Sequence, residues 1–445
     1  MQRTNHLYEF GPFSVDVEER VLLRDGRVVP LPPKAFSILF ALVREQGRVV
    51  SKADLMREVW PEDSVEEGNL TQNIFTLRRV LQGRDEAHSY IETIPRRGYR
   101  FAGVVVEKTR EPGAPRSATA SEQSENAEAR EAYLKGRYFW SKCTRRALEK
   151  SIEWFRTAID RDPNFAIAYV GMADSYTRLA TTHAAPAEMM PKAEAAVRQA
   201  LRVDEGLAEA HASLGMLKMR RHWDWEGGRC ELIRAIELKP DYATAHLWLG
   251  NYFDMRGDFE NALAAKKRAL KLDPLSLQIN VSIASTLWLM RKNDEAMFRL
   301  RETLDMDQNF LSALVMLGFV NELSYDYRSA IANLERARSI DDAPVVQAYL
   351  GRAYAVAGER SKARAIISRL QKQPSRRFAA PYAMALIECG LGARDRALDC
   401  LESAYEAKDE WLVWLNVDPR LDHLRRTDRF RNLAGKLGFI PQTCN

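Results

Sequence analysis

The sequence predicts a multidomain chain: a small α+β domain over residues 1–106, a flexible linker over 107–125, an all-α superhelical solenoid of helix pairs over 126–409, and a capping segment over 410–445. Three patterns predict it. Short β-branched and aromatic runs, broken by turn residues, fill the beginning of the chain and return near 90–104, as in a small antiparallel sheet. Between them, apolar residues recur at helical spacing. From Asn126 onward, small residues and prolines return with a period of about 34, which marks stacked supersecondary units. At 445 residues the chain exceeds what one core holds and fits two or more domains.

In the first domain, Tyr8-Glu9-Phe10, Phe13 to Asp16 and Val21 to Arg24 read as strands, and Asp25-Gly26 reads as a hairpin turn into Val28 to Leu31. Pro32 and Pro33 open a helix whose face is Ala35, Ile38, Leu39 and Leu42, expected to run to about Gln46 and to end at Gly47. Ser51 caps a second helix with Leu55 and Val59 inward, closed by Trp60-Pro61, where Trp60 reads as a core anchor. The third helix spans Glu66 to Leu81. Its Leu70, Ile74, Leu77 and Leu81 fall in one narrow stripe, the buried face.

The opposite face of that helix carries Asn69, Gln72, Thr76 and Arg79, with Asn73 and Arg78 on the flanks. Amides pair bidentately with adenine, Arg with guanine or phosphate, and Thr with a base edge or methyl, so this face suits a major groove. Tyr90 to Ile94 and Tyr99 to Val104 then form a hairpin with Arg96 and Arg97 at its tip, suited to phosphates or a narrow minor groove. Acidic and basic side chains over 1–106 are about equal in number, so a nucleic-acid reading rests on where charges sit. Arg78, Arg79, Arg84, Arg96, Arg97 and Arg100 gather there, while Glu62, Asp63, Glu66 and Glu67 favour the helix dipole but repel phosphate.

Leu31-Pro32-Pro33-Lys34-Ala35-Phe36, Gly47 to Lys52, Leu55 to Trp60, Leu77 to Leu81 and Ile91 to Phe101 follow one another as motifs of a known family. On them, residues 7–104 resemble the OmpR/PhoB-type winged helix-turn-helix, in the version of ToxR- and CadC-like regulators. The resemblance implies a bacterial, cytoplasmic transcription regulator that binds double-stranded DNA, its recognition helix in the major groove and its basic wing in the minor groove. Asn69, Gln72, Asn73, Thr76 and Arg79 would read base edges, Asn73, Thr76 and Arg79 setting specificity. Arg78, Thr93 and the wing, including Tyr99, would hold phosphates, and Arg96 and Arg97 would reach the minor groove. Such domains bind as tandem pairs, which implies a homodimer on DNA. In related response regulators the loop corresponding to Pro61–Gly68 contacts RNA polymerase, making Glu62 and Asp63 candidates for that contact.

In ToxR- and CadC-like regulators a membrane helix follows the DNA-binding domain. Here no apolar run approaches the ~18 to 20 residues of a spanning helix, and no basic-then-apolar leader is present, so no membrane role is expected. Nothing before residue 107 is long enough for a receiver domain, so the signal is expected to enter through the repeats.

The linker, Glu107 to Ser124, is poor in large apolar residues and rich in Pro, Gly and Ser. Beyond it, His246, Leu249, Gly250, Phe253, Ala262, Ala269 and Pro274 stand at the spacings of a tetratricopeptide (TPR) repeat. Gly136 with Phe155, Tyr169 with Ala193 around a turn enlarged over Thr181 to Pro191, Gly215 with Ala235, Ala284 with Ala296, Gly318 with Ala330, Gly351 with Ala363 and Ala385 with Ala397 echo it. The result is about eight units resembling a TPR array. The period then breaks at Trp411, and the remainder is expected to cover the open face of the last unit.

No phosphate loop, zinc-protease helix or nucleophile elbow is present, so no enzyme, cofactor or metal is expected. The five cysteines are odd in number, scattered and without a Cys-x-x-Cys pair, which argues against a disulfide framework. His211 and His246 occupy equivalent positions of two repeats and read as packing residues, and Asp341-Asp342 as helix-end chemistry. The expected function is a sequence-specific regulator whose repeats take a protein partner, an effector or a second copy. The alternative is a repeat scaffold whose winged domain only docks protein or non-specific nucleic acid.

Overall fold

The structure is a computed structural model; it describes residues 6–17, 21–24, 27–29, 31, 33–59, 67–81, 90–95, 97–109, 124, 126–141, 144–372 and 381–439. The chain divides into two compact units, Met1–Ala118 and Thr119–Asn445.

In the first unit, β1 (His6–Phe10), β2 (Phe13–Asp16), β3 (Val21–Arg24) and β4 (Arg27–Val29) form an antiparallel meander completed by β8 (Val106–Thr109), in the order β4-β3-β2-β1-β8. The last strand corrects the expected linker boundary, because residues 107–109 belong to the sheet. Their polar composition is that of an exposed edge: Lys108 pairs with Glu9 at 2.6 Å and the Tyr8 hydroxyl donates to Glu107 at 3.2 Å. The helices are α1 (Pro33–Arg44), α2 (Lys52–Val59) and α3 (Glu67–Leu81). The first stops short of Gln46, which already has a left-handed φ of 40°, followed by Gly47 at 82°. Ser51 caps α2 as expected, its Oγ accepting from the Asp54 N–H at 3.1 Å.

A second small sheet, β5-β7-β6, joins β5 (Val49–Ser51) to the wing strands β6 (Ile91–Ile94) and β7 (Gly98–Phe101). Gly98 has a φ of 146°, and a Cβ there would lie 2.0 Å from the Val50 carbonyl oxygen, so only glycine lets β7 approach β5. The predicted stripe is buried as drawn: Leu70, Ile74, Leu77 and Leu81 are at most 1% exposed and pack with Phe10, Phe13, Leu39, Leu55 and Phe101. The Asp25-Gly26 turn, Trp60, the loop carboxylates Glu62, Asp63 and Glu66, and Arg84 lie outside the described residues.

The second unit contains, among the described residues, eight antiparallel helix pairs. They are α4 (Ala127–Ser141) with α5 (Arg145–Arg161), α6 (Ala166–Thr182) with α7 (Pro186–Val203), α8 (Ala208–Leu217) with α9 (Trp225–Leu238), and α10 (Ala243–Arg256) with α11 (Phe259–Leu272). The series continues with α12 (Leu277–Leu289) and α13 (Asn293–Met306), α14 (Leu311–Leu323) and α15 (Tyr327–Ile340), α16 (Pro344–Val356) and α17 (Arg360–Gln371), and α18 (Pro381–Gly390) and α19 (Arg394–Glu406). The expected enlarged turn of the second pair is absent. Its residues instead lengthen α7 to 18 residues, with Pro191 inside the helix.

Packing within a pair follows the small residues. A Cβ on Gly318 would meet the Leu334 side chain at 2.6 Å, so glycine on the first helix sets the depth to which the second helix's leucine sinks. The same register of the fourth pair holds a lysine. Lys266, fully buried, pairs with Asp254 and donates to Thr286 Oγ1 at 2.9 Å and the Ser282 carbonyl at 3.0 Å, a polar plug where Leu334 stands two repeats later.

The end of the chain goes beyond the expected cap. Its last helix, α20 (Asp428–Lys436), does pack on α19, with Arg429 bonded to Asp399 and Glu402 at 2.7 Å each. Between them, however, the 3-10 turns Glu410–Trp414 and Pro419–Leu424 run back along the repeats, with Leu412, Val413, Leu415, Leu421 and Leu424 fully buried. This apolar content explains the course: a cap needs one covering face, whereas this segment buries most of its residues, with Asp422 and His423 left exposed.

Candidate nucleic-acid interface and the inner face of the repeats

On α3, Asn69 and Thr71 are exposed, Asn73 and Thr76 half-buried, and Phe75 stands 58% exposed. Sequence reasoning missed Phe75, although its place between Ile74 and Thr76, off the apolar stripe, marks it as an outward aromatic. Asn73 gives one amide N–H to the Asn69 carbonyl, at 2.8 Å, leaving its oxygen and its second N–H to present. Gln72 and Arg79 are helical, but their side chains lie outside the described residues, as does Arg96 entirely.

Arg78 joins helix to wing. Its Nε donates to the Ile91 carbonyl at 3.0 Å and its Nη2 to Thr93 Oγ1 at 2.7 Å, so both predicted phosphate holders meet in one contact. Across the hairpin, Arg100 donates to Glu92 at 3.0 Å, which neutralises one charge of the expected basic cluster. The Arg97 side chain is exposed at the wing turn, and its N–H closes that turn on the Ile94 carbonyl at 3.0 Å. Tyr99 corrects the expectation: only 4% exposed, it belongs to the core beside Phe101 and has no face to offer DNA, because strand alternation turns both rings inward.

In the repeat unit, every first helix from α4 to α18 contributes to one cavity of about 390 Å³. The C-terminal segment forms its remaining wall through Trp411, Trp414, Asp418 and Arg420. Arg420 is the anchor. It bonds Asp418 through Nε at 2.9 Å and Nη2 at 2.7 Å, and its guanidinium lies 4.2 Å from the Phe319 ring, 5.3 Å from Trp288 and 5.6 Å from Tyr349. Tyr382 donates to Asp418 at 2.8 Å, and the paired Arg420 keeps that carboxyl below its usual range despite burial. Further contacts reach along the array: Glu410 with Arg220 at 3.0 Å, the Trp411 indole N–H to the Thr181 carbonyl at 3.4 Å, and the Trp225 indole N–H to the Leu437 carbonyl at 2.7 Å.

Two carboxyls of this region are held up by burial. Asp174, on the cavity wall and accepting from Ser213 at 2.9 Å, is pushed up to about 6. Asp409, accepting from the Tyr382 and Trp411 N–H groups at 3.0 Å each, is pushed up to about 7. His211 bonds Glu231 and the Glu205 carbonyl, and His246 bonds the Pro240 carbonyl, so both histidines serve packing. Among the described residues there is no cluster suited to a metal and no helix long and apolar enough to cross a membrane. Burial pushes the Cys389 thiol up to about 12 and that of Cys400 to about 11.

Residues 26–101 match the family described as "Transcriptional regulatory protein, C terminal". The transcriptional regulator HilA of Salmonella typhi is 38% identical over 116 residues, which is 26% of this chain and 20% of HilA. The transcriptional activator CadC of Escherichia coli is 34% identical over 104 residues, 23% of this chain and 20% of CadC. The chain therefore spans about a fifth of the length of these curated relatives. Among solved structures, the DNA-binding domain of E. coli CadC is 30% identical over 23% of this chain and 97% of that domain, with a TM-score of 0.22. A TPR protein of Thermus thermophilus is 18% identical over 46% of this chain and 99% of its own, with a TM-score of 0.36. The chain joins an OmpR/PhoB-type transcriptional-regulator domain to a TPR-like helical array.

Proposed function

We propose that this chain, whose residues 26–101 belong to the transcriptional-regulator family just described, is a sequence-specific DNA-binding regulator whose repeat unit receives the controlling signal. One observation carries the reading: α3 buries its whole apolar stripe, keeps Asn69, Phe75 and Thr76 on the other face with Asn73 on its flank, and is clamped to the wing by Arg78. On DNA, that face enters the major groove, where the Asn73 oxygen and Thr76 hydroxyl meet base edges and Phe75 a thymine methyl. Thr93 accepts from Arg78 and keeps its own proton for a phosphate oxygen, while Arg97 carries charge to the backbone or the minor groove. Gln72, Arg79 and Arg96 join by their sequence positions. Binding as a tandem homodimer and contact of the 61–68 loop with RNA polymerase complete the reading, which needs no catalytic chemistry.

The test is selection of genomic fragments by the purified full-length protein at two salt concentrations, beside the variant Arg79→Ala with Arg97→Ala. A recurrent motif recovered by the wild type, weakened by salt and lost in the variant supports the reading. Equal recovery by both proteins, without a motif, overturns it.

A further inference from the structure

The inner face of the repeats is no open groove, since the chain's own C-terminal segment lies in it. What remains is the bounded cavity of about 390 Å³, within the size range of small-molecule sites. Of the nine tryptophans in the chain, five line it: Trp140, Trp248, Trp288, Trp411 and Trp414. Aromatic walls of this density favour a flat ring system, which gains offset or edge contacts on several sides.

The polar groups narrow the class further. Arg220 and Arg420 both line the cavity, and each keeps one buried guanidinium nitrogen, Nε of the first and Nη1 of the second, that no acceptor of the protein meets. Buried donors of this kind call for acceptor oxygens. Two wall carboxylates are, by contrast, already hydrogen-bonded: Asp174 by Ser213 and Asp418 by Arg420. Donors to spare therefore lie on two arginines of the wall, which favours an anionic group over an ammonium.

We infer that this cavity is a binding site for a small aromatic carboxylate, enclosed between the first helices of the repeats and the C-terminal segment. The inference deepens the proposed function, because it rests on the reading of the repeats as the regulator's input side. Since Trp411, Trp414 and Arg420 belong to both the cavity wall and the returning segment, occupancy and seating of that segment are linked.

Calorimetric titration of the full-length protein with 1-naphthaleneacetate, 1-naphthaleneacetamide and 2-(1-naphthyl)ethylamine separates ring from charge. The acetate is expected to bind saturably with a Kd of about 1 mM or below, and the amide and amine at least tenfold more weakly. Ser285→Trp and Ser312→Trp, on different helices of the wall, should each abolish binding while leaving the far-ultraviolet spectrum helical. No saturable binding of the acetate, equal binding of all three compounds, or unchanged binding in both folded variants overturns the inference. Because the titration uses no DNA, a protein that selects DNA fragments yet ignores the acetate would sink this site alone and leave the regulator reading standing.

Discussion

The recognition helix of the N-terminal unit and the first helices of the repeat unit put opposite sides to use. In α3, an apolar stripe is buried and the polar side faces out, so candidate function sits where the helix is most soluble. In α14, Leu311 to Leu323, the helix is apolar nearly all round, and the side that would be solvated in an isolated helix lines the inner cavity. The difference teaches where polar groups become expensive. Arg97 or Asn69 on the wing unit costs nothing by being solvated, whereas Lys266, Arg420 and Asp174 in the repeat unit must each be matched inside.

The largest expected effect breaks that matching at the fourth repeat. Lys266→Ala leaves Asp254 buried without its partner and should cost about 3–5 kcal/mol, seen as a fall in thermal midpoint. Replacing both members with leucine, Lys266→Leu with Asp254→Leu, should recover most of the loss, because the neighbouring register already packs Leu300 and Leu334. A double variant no better than the single would mean that the plug is doing something other than filling space.

Next in size is Arg420→Ala. It removes the ion pair to Asp418 and three ring contacts, and should cost about 3 kcal/mol. The comparison sharpens if the loss is local: limited proteolysis should then cut first within 407–439 while the helix pairs persist. Uniform cutting along the repeats would show that the returning segment is inseparable from the array.

A smaller effect concerns pH. Burial raises the Asp174 carboxyl from its ordinary value of 3.8 to about 6, so the folded state prefers the protonated form. Below about pH 4 the group is protonated in both states and carries no penalty; as pH rises through 6 the charged form must be tolerated in the wall, and stability falls. Asp174→Asn should therefore be the more stable protein above pH 6 by up to about 3 kcal/mol, the gap closing toward pH 4. Asp409, raised to about 7, contributes the same sign of slope in both proteins and cancels from the difference.

Legibility in the sequence followed the locality of the contacts. Leu70, Ile74, Leu77 and Leu81 declare the buried side of α3 within three turns, and the helix pairs declare themselves through a repeating period. Tyr99 was readable too, since period-two alternation gives it the same side of β7 as buried Phe101, but the pull of an Arg-rich wing motif obscured it. Lys266 was readable only by aligning the units, where it falls in register with Leu232, Leu300 and Leu334. β5 and β8 are short edge pieces stabilised by ladders to distant strands, with little signal of their own. The path of the C-terminal segment was not readable: the partner of Trp411 is Thr181, 230 residues away, and no spacing rule connects them.

On the wing unit, effects should be smallest in free energy and largest in their dependence on salt. Arg97 is exposed at the wing turn, and its replacement by alanine should leave the thermal midpoint unchanged. If the side chain meets phosphate, affinity should weaken evenly across DNA sequences, and the slope of log K against log salt should fall by roughly 1. If it enters the minor groove to read width, the loss should instead concentrate on sites with narrow A-tract grooves. Binding titrations of Arg97→Ala on two duplexes, with and without an A-tract beside the selected motif, distinguish the two. Unchanged affinity and slope on both would remove Arg97 from the interface and leave the helix face alone to carry recognition.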